Sequence, residues 1–105
     1  MIKFMVMLHK PQNLEAFENA YQDFLALAER MPHLRRRQAV LTIGSPQPHV
    51  PYYRILELYF DSMPQLQESL LSDVGQEAGN ELGRFTDGFD ILYAEVYEEA
   101  TQDQP

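Results

Sequence analysis

Apolar residues recur at two spacings along this chain, and the points where one gives way to the other mark out its elements. Ile2 to Leu8 is a run of β-compatible residues and predicts a strand. Pro11 stops it, and Asn13 stands where a helix N-cap is wanted. Leu14, Phe17, Tyr21, Phe24, Leu25, Ala28 and Met31 then follow, largely at intervals of three and four. They form one stripe of an amphipathic helix that Pro32 ends. Leu34 to Gly44 returns to strand character, "GSPQPHVP" is a turn-rich connection, and Tyr52 to Phe60 is a strong aromatic and aliphatic strand. Asp61 or Ser62 can cap a second helix bearing Met63, Leu66, Leu70 and Leu71, with Pro64 tolerated in its first turn. Gly75 interrupts, a short helix over "QEAGNEL" follows, "GRFTDG" is a loop, and Phe89 to Tyr97 is the last strand. The order β-α-β-β-α-β predicts an α+β, ferredoxin-like βαββαβ domain over residues 1–98, with both helices on one face of a four-stranded antiparallel sheet. Residues 99–105 read as a flexible acidic tail.

Alternation along the strands divides the sheet into two faces. Ile2, Phe4, Val6 and Leu8, with Leu56, Leu58 and Phe60 and with Leu92, Ala94 and Val96, are expected beneath the helices. The other face takes Lys3, Met5, Met7 and His9, Tyr53, Ile55, Glu57 and Tyr59, and Ile91, Tyr93, Glu95 and Tyr97. It is too apolar for a face left in water, yet it carries charges that a sealed core avoids. A second protomer stacked through Met5, Met7, Tyr53, Tyr59, Tyr93 and Tyr97 is the expected explanation. Lys3 is expected to meet Glu57 or Glu95. The bland alternative is a monomer whose tyrosines lie flat on its surface.

Charge and composition narrow the function classes. The formal charge is −8 and the only basic cluster is Arg30 with Arg35, Arg36 and Arg37. In an extended segment Arg36 points away from Arg35 and Arg37, so the triplet is a poor phosphate track and nucleic acid is not an expected partner. Arg35 and Arg37 are expected on the outer, tyrosine-bearing face, with Arg36 solvated or beside a helix. Without cysteine, disulfides and thiolate chemistry are excluded, which fits a cytoplasmic protein. No run of residues is long and apolar enough to predict a membrane span.

Candidate chemistry is sparse. His9 ends the first strand, at the edge where His49, Tyr53 and Phe89 are also expected, so His9 with Tyr53 is the candidate acid–base pair. His9 and His49 could share a metal, but no third ligand stands at a recognisable spacing, and no metal or cofactor is assigned. The plainer reading is a strand-end histidine bonded to backbone and a loop histidine in water. His33, between Pro32 and Leu34, reads as a turn residue. Asp87 and Asp90 flank Gly88, where a turn competes with paired-carboxylate chemistry. Tyr21, Phe24, Phe60, Phe85 and Phe89 are the candidate lining of a ligand pocket, although an aromatic stripe at helical spacing equally suits a core.

The stretch "SDVGQEAGNELGRFTDGFDILYAEVYEE" resembles the EthD family of small dimeric α+β barrel proteins. Ser72, Gly75 and Gln76 match that family's Ser-Pro-Glu-Gly-Gln turn, with Asp73 and Val74 replacing its Pro and Glu. "MIKFMVMLHKP", "MPHLRRRQAV" and "YYRILELYFDSMPQLQESLLSD" fall where the family has corresponding elements. The resemblance implies a ferredoxin-like protomer, a homodimer through the sheets and a small-molecule pocket between sheet and helices. Any chemistry it implies is oxidative or degradative, and haem occurs only in distant relatives of the fold. Many members carry His-x-Pro in or after the first helix. This chain has Phe24, Leu25 and Ala26 there, which removes that group. Two functions are therefore expected to compete. One is a homodimer binding a small apolar organic molecule in a cavity of roughly 300 Å³ or more. The other is an accessory protein whose interior Phe24, Phe60 and Phe85 close.

Overall fold

The computed structural model describes residues 1–99, so the tail expected over residues 99–105 lies almost wholly outside the described residues. In chain order the elements are β1 (Ile2–His9), α1 (Leu14–Ala28), β2 (Arg36–Leu41), β3 (Tyr52–Phe60), α2 (Met63–Leu71), α3 (Asp73–Glu81), a 3-10 turn (Leu82–Arg84) and β4 (Phe89–Glu95). The sheet is antiparallel with strand order β2-β3-β1-β4, the ferredoxin-like order the pattern predicts. Asn13 caps α1 by accepting from the Ala16 N–H at 3.0 Å, and Ser62 caps α2 through the Gln65 N–H at 3.3 Å.

The core lies between the helices and the two central strands. Phe4, Val6, Leu8, Leu56, Leu58 and Phe60 meet Phe17, Tyr21, Phe24, Leu66 and Phe85 there, all buried. The second and third helices join without a loop. Ser72 ends α2, accepts from the Gly75 N–H at 3.1 Å to cap α3, and donates its hydroxyl to the Ser69 carbonyl at 2.6 Å. A Cβ on Gly75 would stand 2.0 Å from that carbonyl oxygen, so only glycine fits the junction. The Gln76 side-chain amide donates to the Leu71 carbonyl at 2.8 Å. The three matched residues of the EthD-like turn therefore all build one helix–helix corner.

Two face assignments need correction. Phe89 pairs with Leu8, Ile91 with Val6 and Tyr93 with Phe4, so the helix-side residues of β4 are Phe89, Ile91 and Tyr93, and Leu92 and Ala94 face outward. The Tyr93 ring lies 5.7 Å from Phe4 rather than on the outer face. The helices cover β1 and β3 and leave β4 open on both sides. Both of its residue sets are apolar, so alternation alone did not separate them. Tyr97 lies beyond β4, exposed. The second correction concerns β2: Arg36 pairs with Tyr59 and stacks on its ring from the outer face at 4.5 Å. Arg37 is on the helix side, donating to the Leu25 carbonyl at 3.4 Å and facing Glu29 at 3.3 Å, and Arg35 meets Asp61 at 3.5 Å.

Glu95, expected on the outer face, pairs with the helix-side Ile2, and Tyr53 also leaves that face; the remaining residues of β1 and β3 follow the alternation. Met5, Met7, Ile55 and Tyr59 lie on it, and Lys3 pairs with Glu57 at 2.7 Å, the first of its two expected partners. Glu57 is the main reason the Lys3 ammonium titrates above its usual range. Met7 and Tyr59 are buried but belong to no part of the helix-side core, which marks them as packed within the outer face.

Candidate functional site

The aromatic residues expected to line an internal pocket pack against one another instead. Phe17, Phe24 and Phe85 contact edge to face at 5.2 and 6.2 Å, and Phe60 is fully buried. The void left beside Phe4, Phe24 and Leu58 is about 40 Å³, far below what an organic ligand fills. Tyr21 is 1 % exposed, its hydroxyl has no partner among the described residues, and burial raises its pKa. Phe89 is half-buried at the end of β4, away from that void.

Space of ligand size lies elsewhere. A groove of about 380 Å³ opens between the β2–β3 connection and the start of β3. Its walls include Lys10, Thr42, Ile43, His49, Val50, Tyr52 and Tyr53, a mixture of one cation, hydroxyls and apolar surface. The Thr42 hydroxyl donates to the Tyr52 and Tyr53 carbonyls at 2.9 and 3.2 Å, fixing the connection to the strand. His49 takes a left-handed backbone conformation (φ +62°) at the turn.

A β-bulge sorts the two adjacent tyrosines. Leu8 pairs with Arg54 but His9 pairs with Tyr52, so Tyr53 is the extra residue. Tyr53 therefore turns to the helix side, 5.3 Å from Phe17, and donates to Glu18 at 3.3 Å. Arg54 reaches the same Glu18 carboxylate at 3.2 Å and stacks over Tyr21 at 4.8 Å. The expected pairing of His9 with Tyr53 is thus corrected: the residue beside His9 is Tyr52, its ring 5.6 Å away. Strict alternation counted past the bulge gives the wrong tyrosine.

His9, Tyr52 and Asp90 converge at the end of the outer face. The Asp90 Oδ2 lies 3.0 Å from His9 Nε2 and 3.0 Å from the Tyr52 hydroxyl. These bonds, His9 first and then Tyr52, hold the Asp90 carboxyl below the usual carboxylate range. The same contact with Asp90 raises the Tyr52 phenol. Asp87 accepts instead from the Gln12 N–H at 3.4 Å, so the two carboxylates flanking Gly88 have separate partners. His33 (φ +66°) faces Glu68 at 2.8 Å and ties the α1–β2 turn to α2. Among the described residues, no group of three or more His, Asp or Glu side chains gathers to hold a metal ion, and no helix is long and apolar enough to cross a membrane.

The fold is shared with solved structures. An ethyl tert-butyl ether d (EthD) family protein from Bacillus halodurans superposes with a TM-score of 0.85 at 24% identity, over 92% of this chain and 99% of that one. A dimeric ferredoxin-like protein of unknown function from Jannaschia gives 0.69 at 20% identity, over 90% and 98%. A hydroxynitrile lyase from Passiflora edulis gives 0.76 at 14% identity, over 95% and 96%. No family model and no curated protein matches the chain. The resemblance to the EthD family is borne out in the fold.

Proposed function

We propose that the chain works as an EthD-like homodimer that binds a small organic molecule in the groove between the β2–β3 connection and β3. The groove carries this reading. At about 380 Å³ it is of ligand size, whereas the interior void is a tenth of that. Its walls set Val50 and the tyrosine rings against Lys10 and His49, which suits a molecule with one apolar and one anionic end rather than a wholly apolar one. The dimer rests on the outer face. Val40 and Leu92 are exposed there around Met5, Met7 and Ile55, and the Lys3 and Glu57 charges cancel each other within the patch. The Jannaschia protein is dimeric, which supports a homodimer.

Saturation-transfer NMR with a set of small oxo, hydroxy and aromatic acids tests the groove. Binding is expected for the wild type and not for Val50→Glu, a change at an exposed loop position that leaves the core untouched. Should none of these acids bind, the groove reading is overturned. The closed packing of Phe24, Phe60 and Phe85 favours the second reading in that case, an accessory protein whose dimer is an interaction platform.

A further inference from the structure

We propose that Lys10 and His49 are the anion-binding groups of the groove, and that its ligand is a monocarboxylate with a flat aromatic body. The proposal rests on the groove reading and names the ligand class. The charges of the molecule single out this pair. Among the described residues, Lys3, Arg35, Arg37, Arg54 and Arg84 each meet a carboxylate at ion-pair distance. His9 and His33 do the same through Asp90 and Glu68. Arg36 lies on the Tyr59 ring, and Arg30 stands exposed after α1. Lys10 and His49 are left without a carboxylate partner among the described residues, and both stand on the wall of one groove. In a chain of formal charge −8, no Asp or Glu side chain lines that wall.

The backbone at His49 points the same way. His33 and His49 share the left-handed conformation, at +66° and +62°, which costs a histidine more than a glycine. His33 offsets that cost with its 2.8 Å contact to Glu68. His49 has no such contact among the described residues, so its imidazole is available to a ligand. The wall hydroxyls cannot stand in for the pair. Thr42 donates to the Tyr52 and Tyr53 carbonyls at 2.9 and 3.2 Å, Tyr52 to Asp90 at 3.0 Å and Tyr53 to Glu18 at 3.3 Å. A hydroxyl has one proton, so none of the three has one left for a ligand carboxylate. Ser45 and Gln47 add only neutral donors.

The same bonds hold the two phenol rings still, Tyr52 beside His9 at 5.6 Å and Tyr53 against Phe17 at 5.3 Å. Rings fixed before binding offer flat apolar surface at little ordering cost, and Val50 extends it, which favours an aromatic body. Glu18 is neutralised by Arg54 at 3.2 Å, but Asp90 stands behind Tyr52 with only a histidine beside it. Its charge opposes a second anionic group, so a monoanion fits better than a dianion.

Naphthoate is the probe, titrated into the full chain and followed by ¹H–¹⁵N NMR, with uncharged naphthamide and naphthalene dicarboxylate as comparisons. Naphthoate is expected to bind, naphthamide about 10-fold more weakly, the worth of one charge-assisted hydrogen bond, and the dicarboxylate more weakly than naphthoate. Lys10→Met and His49→Asn should each weaken naphthoate about 10-fold and leave naphthamide unchanged. Both positions are exposed, and asparagine tolerates the left-handed backbone. Naphthamide that binds as tightly as naphthoate, or naphthoate indifferent to either substitution, overturns the proposal. If Val50→Glu still abolishes that binding, the groove reading stands. A dicarboxylate that binds more tightly overturns the monoanion assignment, and naphthoate that fails where aliphatic acids bind overturns the aromatic one. Failure of every acid overturns the groove reading and this proposal with it.

Discussion

Replacing Gly75 with alanine tests the corner on which α3 is hung. The new methyl would sit 2.0 Å from the Ser69 carbonyl oxygen, 2.9 Å from the Leu70 oxygen and 3.0 Å from the Ser69 carbon, all backbone atoms. Ordinary contact begins near 3.4 Å, so the two helices must part by more than about 1 Å. That movement stretches the 3.1 Å bond by which Ser72 caps α3. It also lifts Ala78 and Leu82 from the core. Overpacking costs about 1–3 kcal/mol and a lost cap about 1 kcal/mol, so a loss of about 2–4 kcal/mol is expected. That is a large share of a total stability of about 5–15 kcal/mol. Gly79, four residues on in the same helix, has open space where an added methyl would stand, with nothing within 4 Å. Gly79→Ala should therefore stabilise by about 0.5–1 kcal/mol through helix propensity. Urea unfolding of both variants beside the wild type reads the two signs. Equal effects, or a mild Gly75→Ala, would refute the close approach of α2 and α3.

Three further outcomes are expected. Leu92→Asp alters a half-exposed outer-face residue, so the protomer should keep its stability while the dimer weakens. Two lost leucine contacts of about 1 kcal/mol each already give about 30-fold in dissociation constant by sedimentation velocity, before the cost of burying carboxylates. In an alkaline titration followed near 295 nm, Tyr21 should ionise above the ordinary phenol range, because burial favours its neutral form, and Tyr21→Phe should remove that step. The folded pKa exceeds the unfolded one, so this contribution to stability is complete below about pH 10 and is lost as pH rises through the folded value. Asp90 runs the other way. Its contribution is present above about pH 4 and is lost as pH falls through its depressed folded value, and ¹³C titration of its carboxyl should move upward in Tyr52→Phe.

Much of the fold was legible in the residues because local rules sufficed. Asn13 was readable as a cap and Ser62 as one of two, β3 has the bounds its aromatic run predicts, and antiparallel placement narrowed the partner of Lys3 to Glu57 or Glu95, of which Glu57 is the one met. Legibility failed where neighbours decide. The face of β4 depends on its register with β1, and no helix covers it to make one set of residues polar and the other apolar. The bulge at His9 is a pairing irregularity between distant segments, so Tyr52 rather than Tyr53 beside His9 could not be counted from either strand alone. Asp90 was visible only as one of two carboxylates around Gly88. Its contact with His9, 81 residues away in sequence, required the sheet. The aromatic stripe of α1 was ambiguous between core and pocket lining, and packing against Phe85 resolved it as core.

Native mass spectrometry of the untagged protein at low micromolar concentration tests the account most directly, because the outer-face pairing depends on a second copy. The prediction is a species at twice the chain mass that persists at moderate salt, reverting to the single chain in Leu92→Asp. A wild type that runs as a monomer would contradict the account and leave the apolar outer face to be explained some other way.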